Sequence, residues 1–311
     1  MNELIISGTN LPDNFKDFNQ DMLKDITGQT EGSGNLLPSL KIEYKPEYFD
    51  EEAQKAAEKA EEDYEPVRLP LGSYKITVRD EDDALVTVYD KAPVFRPYIH
   101  THRFSVFDSD AMAGKAQSTH FKTWDEVVLD DLGGEYAGKT YKRKFTEDHA
   151  RLLSGEKMRL QCSHVLWGTV TFPNGKDMFK NKTELVTDIP CMFYVKGASF
   201  MTMVNMLKEF SEQGLLLFSR DVKLSVERIV NGEVTYYPVK YAVQKAELPF
   251  AEDEFGLLKQ FQATIDAENQ DIYAKFEKKQ NALKADAVAK DVSSAPLDAD
   301  LDDVSDDKIP F

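Results

Sequence analysis

Residues 199–213 read SFMTMVNMLKEFSEQ, and the fold turns on this stretch. Phe200, Met203, Val204, Met206, Leu207 and Phe210 recur at the spacing that gathers them on one helical face. Ser199 stands at the N-cap position and Gly214 where a helix stops. Met201, Met203 and Met206 read as core fillers of that helix, not as a metal-binding set. Outward from it the period changes from helical to two. Upstream, Tyr74, Ile76 and Val78 alternate with polar residues, Leu85, Val86, Val88 and Tyr89 follow, and the acidic turn Asp80–Asp83 is expected to close a hairpin. Val94–Phe107 is a further strand, weakened near Pro97, and Ser118–Val128 and Glu135–Phe145 are shorter extended pieces. Lys157–Phe172 is a long strand with a bulge expected at Gly168 and a turn at Pro173, Asn174 and Gly175, and Glu184–Lys196 resumes the sheet. Downstream, Leu215–Ile229 and Glu233–Val243 read as two strands joined by Asn231 and Gly232, a hairpin signal.

Strands, then one helix, then a hairpin define an α+β chain that is mainly β. The order is that of a five-stranded OB-type Greek-key barrel, whose helix lies between its third and fourth strands; other α+β folds share it. The expected divisions are an acidic N-terminal arm over 1–66, the barrel core with extra strands over 67–250, a C-terminal helix over 251–289 and a disordered acidic tail over 290–311. In the arm, Phe15–Ile26 reads as a short helix, Leu36–Tyr44 as a strand and Glu51–Tyr64 as a solvated helical spacer. In the C-terminal helix, Phe255, Leu258, Phe261, Ile265, Ile272 and Phe276 form a broken apolar stripe, suited to the barrel or to another subunit.

With 311 residues, 41% of them hydrophobic, the chain can bury a full core. No run reaches the roughly 18 apolar residues of a membrane span, and MNELIISGTN lacks the layout of a signal peptide. Cys162 and Cys191 are the only cysteines, which suits a reducing cytoplasm. The net charge of −17 argues against a polyanionic ligand until its distribution is considered. Residues 1–66 hold 16 acids against 6 bases and 291–311 hold 7 against 1, whereas 67–250 hold 24 against 25. A charge-balanced middle with local basic clusters can still bind a phosphate backbone.

Binding of single strands needs cations along the backbone and aromatic faces on which bases stack. Arg96, Tyr98, His100, His102, Arg103 and Phe104 interleave the two types along one strand, with the even positions on one face if it stays extended. Phe121, Lys122 and Trp124 form a second set, and Lys139, Tyr141, Lys142, Arg143, Lys144 and Phe145 the densest basic run. Arg159, Trp167, Phe179, Lys180, Lys182, Tyr194 and Lys196 extend the theme into the barrel. Half of any strand's aromatics face the core, so each must compete with a packing role. His100 with His102, and Cys162 with His164, sit at i, i+2 and could make a four-ligand zinc site on adjacent strands. No CxxC or HExxH spacing accompanies them and chance pairs suffice, so neither a metal nor another cofactor is expected. Walker, GxSxG and GxGxxG motifs do not occur. Asp108, Asp110, Asp130 and Asp131 read as turn formers before they read as nuclease ligands, and no enzymatic activity is expected.

The tail ends in Asp306, Asp307, Lys308, Ile309, Pro310 and Phe311. An acidic lead followed by an apolar hook suits capture by a partner, with the ring in a pocket and the aspartates steering the encounter. Apart from Lys308, which replaces an acidic or neutral residue, this ending resembles the acidic tip of bacterial single-stranded DNA-binding proteins. The resemblance implies that Asp306, Asp307, Ile309, Pro310 and Phe311 recruit replication, recombination and repair enzymes to coated single strands. An enlarged barrel with an acidic tail is similar in plan to the phage-encoded members, which act in the host cytoplasm. The implied partners are single-stranded DNA and those enzymes, with self-association open. Two alternatives stand beside this one: an acidic decoy that sequesters the host partners without binding DNA, and a nucleic-acid enzyme that the tail localises.

Overall fold

The computed structural model describes residues 37–48, 54–55, 59, 65–79, 84–108, 113–136, 158–250 and 252–294. Its main sheet contains β1 (Ser39–Ile42), β2 (Tyr74–Arg79), β3 (Leu85–Asp90), β4 (Val94–Asp108), β5 (Ala113–Gln117) and β6 (Met158–Phe172). It continues through β7 (Lys176–Asp177), β8 (Lys182–Thr183) and β9 (Val186–Val195), and after helix α1 (Phe200–Glu212) through β10 (Val222–Val226) and β11 (Val239–Val243). Helix α2 (Glu252–Ser294) follows. The described residues are mainly β, 43% in strands against 27% in helices, and the sheet curls into a half-barrel. Among the described residues no helix is long and apolar enough to cross a membrane.

Hydrogen bonding orders the sheet β8-β7-β3-β2-β1-β9-β6-β4-β10-β11, with β5 also paired to β4. β2 and β3 form the expected hairpin, from Tyr74 opposite Asp90 to Arg79 opposite Leu85. β1 inserts between β2 and β9, parallel to β9, so the sheet recruits a strand from before residue 67. The 15-residue strands β4 and β6 make the longest ladder, and its register shifts once, at Trp167 and Gly168 opposite Ile99 and Pro97. Tyr98 is the extra residue of that bulge. A Cβ at Gly168 would lie 2.3 Å from the Arg96 carbonyl oxygen, which is why glycine stands there.

Helix α1 matches the expectation with two corrections. The Ser199 hydroxyl accepts from the Val239 amide at 2.8 Å, so it ties the helix start to β11 and does not cap it. Met201 is exposed, whereas Met203, Met206 and Phe210 are buried and each contributes about 1.5–3 kcal/mol of transfer free energy. The helix ends in a Schellman motif: the Gly214 amide, at φ +65°, bonds the Ser211 carbonyl and the Leu215 amide bonds that of Phe210. Leu215–Ile229 is not one strand, because Leu217–Ser219 forms a 3-10 turn before β10. The Gly232 turn closes a separate small hairpin, Ile229–Asn231 with Val234–Tyr236.

Leu40, Tyr74, Phe95, Phe193, Met203 and Phe210 belong to the core inside the half-barrel. A second core lies on the other face of β6 and β9, where Val165, Trp167 and Met192 meet Phe261 and Ile265 of α2. The apolar stripe of α2 therefore packs on the sheet, with Phe255 left exposed. The helix runs on to Ser294, five residues past its expected end; the arm helix Phe15–Ile26, most of Glu51–Tyr64, the turn Asp80–Asp83, the basic run Lys139–Lys144 and residues 295–311 of the expected tail lie outside the described residues.

Candidate functional site

The bulge at Tyr98 breaks the expected alternation of β4. A strictly extended strand would place Arg96, Tyr98, His100, His102 and Phe104 on one face, but the extra residue sends the first two to the α2 side. There Arg96 pairs with Glu254 and donates to the Phe218 carbonyl at 2.8 Å, and the Tyr98 hydroxyl donates to Glu254 at 2.8 Å. Arg103 is buried on the same side, donating to the Ser118 carbonyl and the Glu268 carboxylate, both at 2.9 Å, and to the Tyr194 hydroxyl at 3.3 Å. His120 meets the same Glu268 oxygen at 3.0 Å. Burial lowers its pKa, as does the Arg103 charge, while Glu268 pulls the other way. Trp167 is fully buried and its indole N–H donates to the Thr101 hydroxyl at 3.2 Å. Arg96, Tyr98, Arg103, Trp167 and Tyr194 thus hold α2 on the sheet and do not form an open binding face, a correction to the reading from spacing. Spacing missed Glu254 and Glu268, which lie far along the chain.

The opposite face carries a different set. His164 stands opposite His102 across the β4–β6 ladder, and His100 lies two residues along. The three ring centroids are 4.5, 5.0 and 4.8 Å apart. His100 Nε2 and His164 Nδ1 share a hydrogen bond of 2.8 Å. Burial, with the neighbouring imidazoles, pushes His100 down to about 2 and His164 down to about 3. Burial also takes His102 down to about 4, against a smaller upward pull from Glu126. All three rings are therefore neutral near pH 7. His102 Nδ1 and His164 Nε2 are buried without a hydrogen-bond partner among the described residues.

Aromatic rings frame this cluster. Phe200, the first residue of α1, lies 4.1 Å from His164 centroid to centroid, and Trp124 lies 4.6 Å from His102. Phe121 stacks on His102 at 5.3 Å and is held there by paired backbone bonds of 2.7 and 3.0 Å between the two residues. The turn beyond it is fixed by Glu126, whose carboxylate accepts from the Lys122 and Thr123 amides. Phe104 and Phe121 are buried core, while Trp124 and His100 keep partial access to solvent and Lys122 is exposed. Cys162 packs with Phe104 and Phe121, apart from the three imidazoles. Phe200 was read from the sequence only as helix core, since spacing does not reveal which strand a helix start touches.

Lys180, Lys182 and Lys196 are exposed, Lys182 pairing with Glu184 at 3.2 Å, and Phe179 stacks edge-on against Tyr48. Arg159 lies on β6 opposite Phe107. Asp130 accepts from the Leu132 and Gly134 amides, a turn-forming role. Lys139, Tyr141, Lys142, Arg143 and Lys144 lie outside the described residues, as do Asp306, Asp307, Ile309, Pro310 and Phe311. No family model, curated protein or solved structure matches the chain.

Proposed function

We propose that the chain is a single-stranded DNA-binding protein of OB type that coats exposed strands during replication, recombination and repair. The observation that carries this reading is the strand order β9-β6-β4-β10-β11, with α1 between β9 and β10. Numbered among themselves in chain order, leaving out the short β5, β7 and β8, these five strands lie in the order 3-2-1-4-5, and the first four in that order have the Greek-key arrangement. OB barrels bind oligonucleotides through the face of strands 2 and 3 and through the loops joining strands 1–2 and 4–5. Here α2 covers the outer face of β6 and β9, which leaves the two loops, residues 109–157 between β4 and β6 and residues 227–238 between β10 and β11, and the first holds the aromatic and basic clusters. That connection contains Lys122 and Trp124 and the run Lys139, Tyr141, Lys142, Arg143 and Lys144. Backbone cations beside a partly exposed indole suit sequence-independent binding.

Recruitment of partner enzymes rests on the likeness of Asp306, Asp307, Ile309, Pro310 and Phe311 to the acidic tip of the bacterial proteins, and the same likeness supports action in the cytoplasm of a phage-infected host. The occupied face of β6 and β9 favours one second reading, a decoy that offers the tip and binds no DNA. Titration of fluorescent oligo-dT with the full chain separates the two. A DNA-binding protein gives log affinity falling linearly with log salt, by about 0.7 per phosphate contact. No binding even at low salt would remove the DNA-binding reading and leave the decoy. Deletion of residues 304–311 is expected to keep DNA affinity equal or higher and to abolish capture of replication enzymes.

A further inference from the structure

We propose that His100, His102 and His164 form a binding site for a divalent transition metal, with zinc as the natural choice. One ring nitrogen from each residue lies within 4.8 Å of one from each of the others. Tetrahedral zinc with bonds of about 2.0–2.1 Å sets its ligand nitrogens about 3.3 Å apart, so the widest pair has to close by about 1.5 Å at most. The 2.8 Å bond between His100 Nε2 and His164 Nδ1 already holds two of the rings together, and with His164 Nδ1 as the donor His164 Nε2 keeps its lone pair for a metal. Small rotations of the imidazoles about their side-chain bonds bring the three lone pairs to one point.

One further observation favours a ligand over ordinary core packing. His102 and His164 are 7% and 2% exposed, and each holds a buried ring nitrogen with no partner among the described residues. Buried polar atoms are almost always satisfied, so two orphans on facing rings mark a missing counterpart. Three imidazoles suit a borderline cation such as zinc and are a poor set for magnesium or calcium, which take oxygen. Three protein ligands leave the fourth tetrahedral position to water. Cys162, the fourth residue that spacing suggested, is not part of the set.

Such an ion would pin β4 to β6 and fix the His102 ring, on which Phe121 and Trp124 rest. The inference does not depend on DNA binding, because metal uptake is measured without DNA.

The test uses tag-free, full-length protein stripped with a chelator and titrated with cobalt, which reports tetrahedral coordination by an intense visible band. The expected result is one equivalent of cobalt per chain, displaced by zinc, with a Tm that climbs as free zinc is raised. His164→Leu and His102→Leu are each expected to weaken binding at least tenfold, and Cys162→Ala to leave it unchanged. Absence of a cobalt band from the stripped wild-type chain, together with a Tm indifferent to zinc, would overturn the proposal without reliance on any variant. Loss of the band in Cys162→Ala alone would overturn the three-histidine assignment.

Discussion

The two faces of the β4–β6 ladder bury similar polar side chains and treat them in opposite ways. On the α2 side, Arg96 meets Glu254, and Arg103 and His120 share Glu268. On the other side, His102 and His164 are equally deep, yet each keeps a nitrogen unmatched among the described residues. A satisfied polar layer fixes one arrangement of helix on sheet, whereas an unsatisfied one stores affinity for something else. The first face therefore reads as architecture and the second as the working surface.

The largest expected effect breaks the first face. Glu268→Ala leaves the Arg103 guanidinium buried without its carboxylate and takes a partner from His120, at a cost of about 3–5 kcal/mol in urea unfolding. Glu268→Gln keeps the shape and one acceptor, and is expected to lose less. A loss under about 1 kcal/mol for the alanine variant would mean that the Glu268 network is effectively solvated and that α2 is held by its other contacts, Phe261 and Ile265 in the second core and Glu254 with Arg96 and Tyr98.

The next effect tests the working surface. If bases stack at Trp124, Trp124→Ala lowers oligo-dT affinity by about 1–3 kcal/mol, roughly 5- to 150-fold. Arg96→Ala, compared under conditions where both variants are folded, leaves that affinity unchanged because its charge is spent on Glu254. The reverse outcome would put the DNA under α2 and invert the assignment of the two faces.

How much of this was legible depends on the range of the interaction. The α1 face, the β2–β3 hairpin and the long β4 and β6 strands follow from local periodicity, and all were readable. The ladder does shift at Gly168, where a bulge was expected, but that the extra residue stands on the facing strand, at Tyr98, was not readable, because nothing local distinguishes one extra residue in a strand containing Pro97 from regular alternation. It becomes visible only when Ile99 is seen opposite Trp167 and Pro97 opposite Gly168. Glu254 and Glu268 lie 158 and 165 residues from the arginines that they neutralise, so Arg96 and Arg103 looked like free cations. His100 and His102 were visible as an i, i+2 pair, and His164 only as the partner of Cys162. Their convergence depends on His102 standing opposite His164, a matter of register that composition does not carry.

A smaller effect concerns charge. Lys122 is exposed and its ammonium donates to Gln262 at 2.9 Å, a neutral partner that leaves its charge uncancelled. Lys122→Ala is expected to reduce the slope of log affinity against log salt by about 0.7, the share of one phosphate contact, with little change in stability. An unchanged slope would remove Lys122 from the DNA path.

The smallest expected effect is the sharpest test of the contrast. His102→Leu, measured in chelator so that no metal contributes, removes a buried ring at a site where most core substitutions are costly. It loses ring contacts with Trp124 and Phe121, each worth about 0.5–1.5 kcal/mol. It also removes the unmatched Nδ1, whose desolvation opposes folding by about 1–3 kcal/mol. The two nearly cancel, so unfolding in urea is expected to shift by less than about 1 kcal/mol. A loss of about 3 kcal/mol or more would show that the imidazole is needed for the fold itself, and the second face would then be architecture like the first.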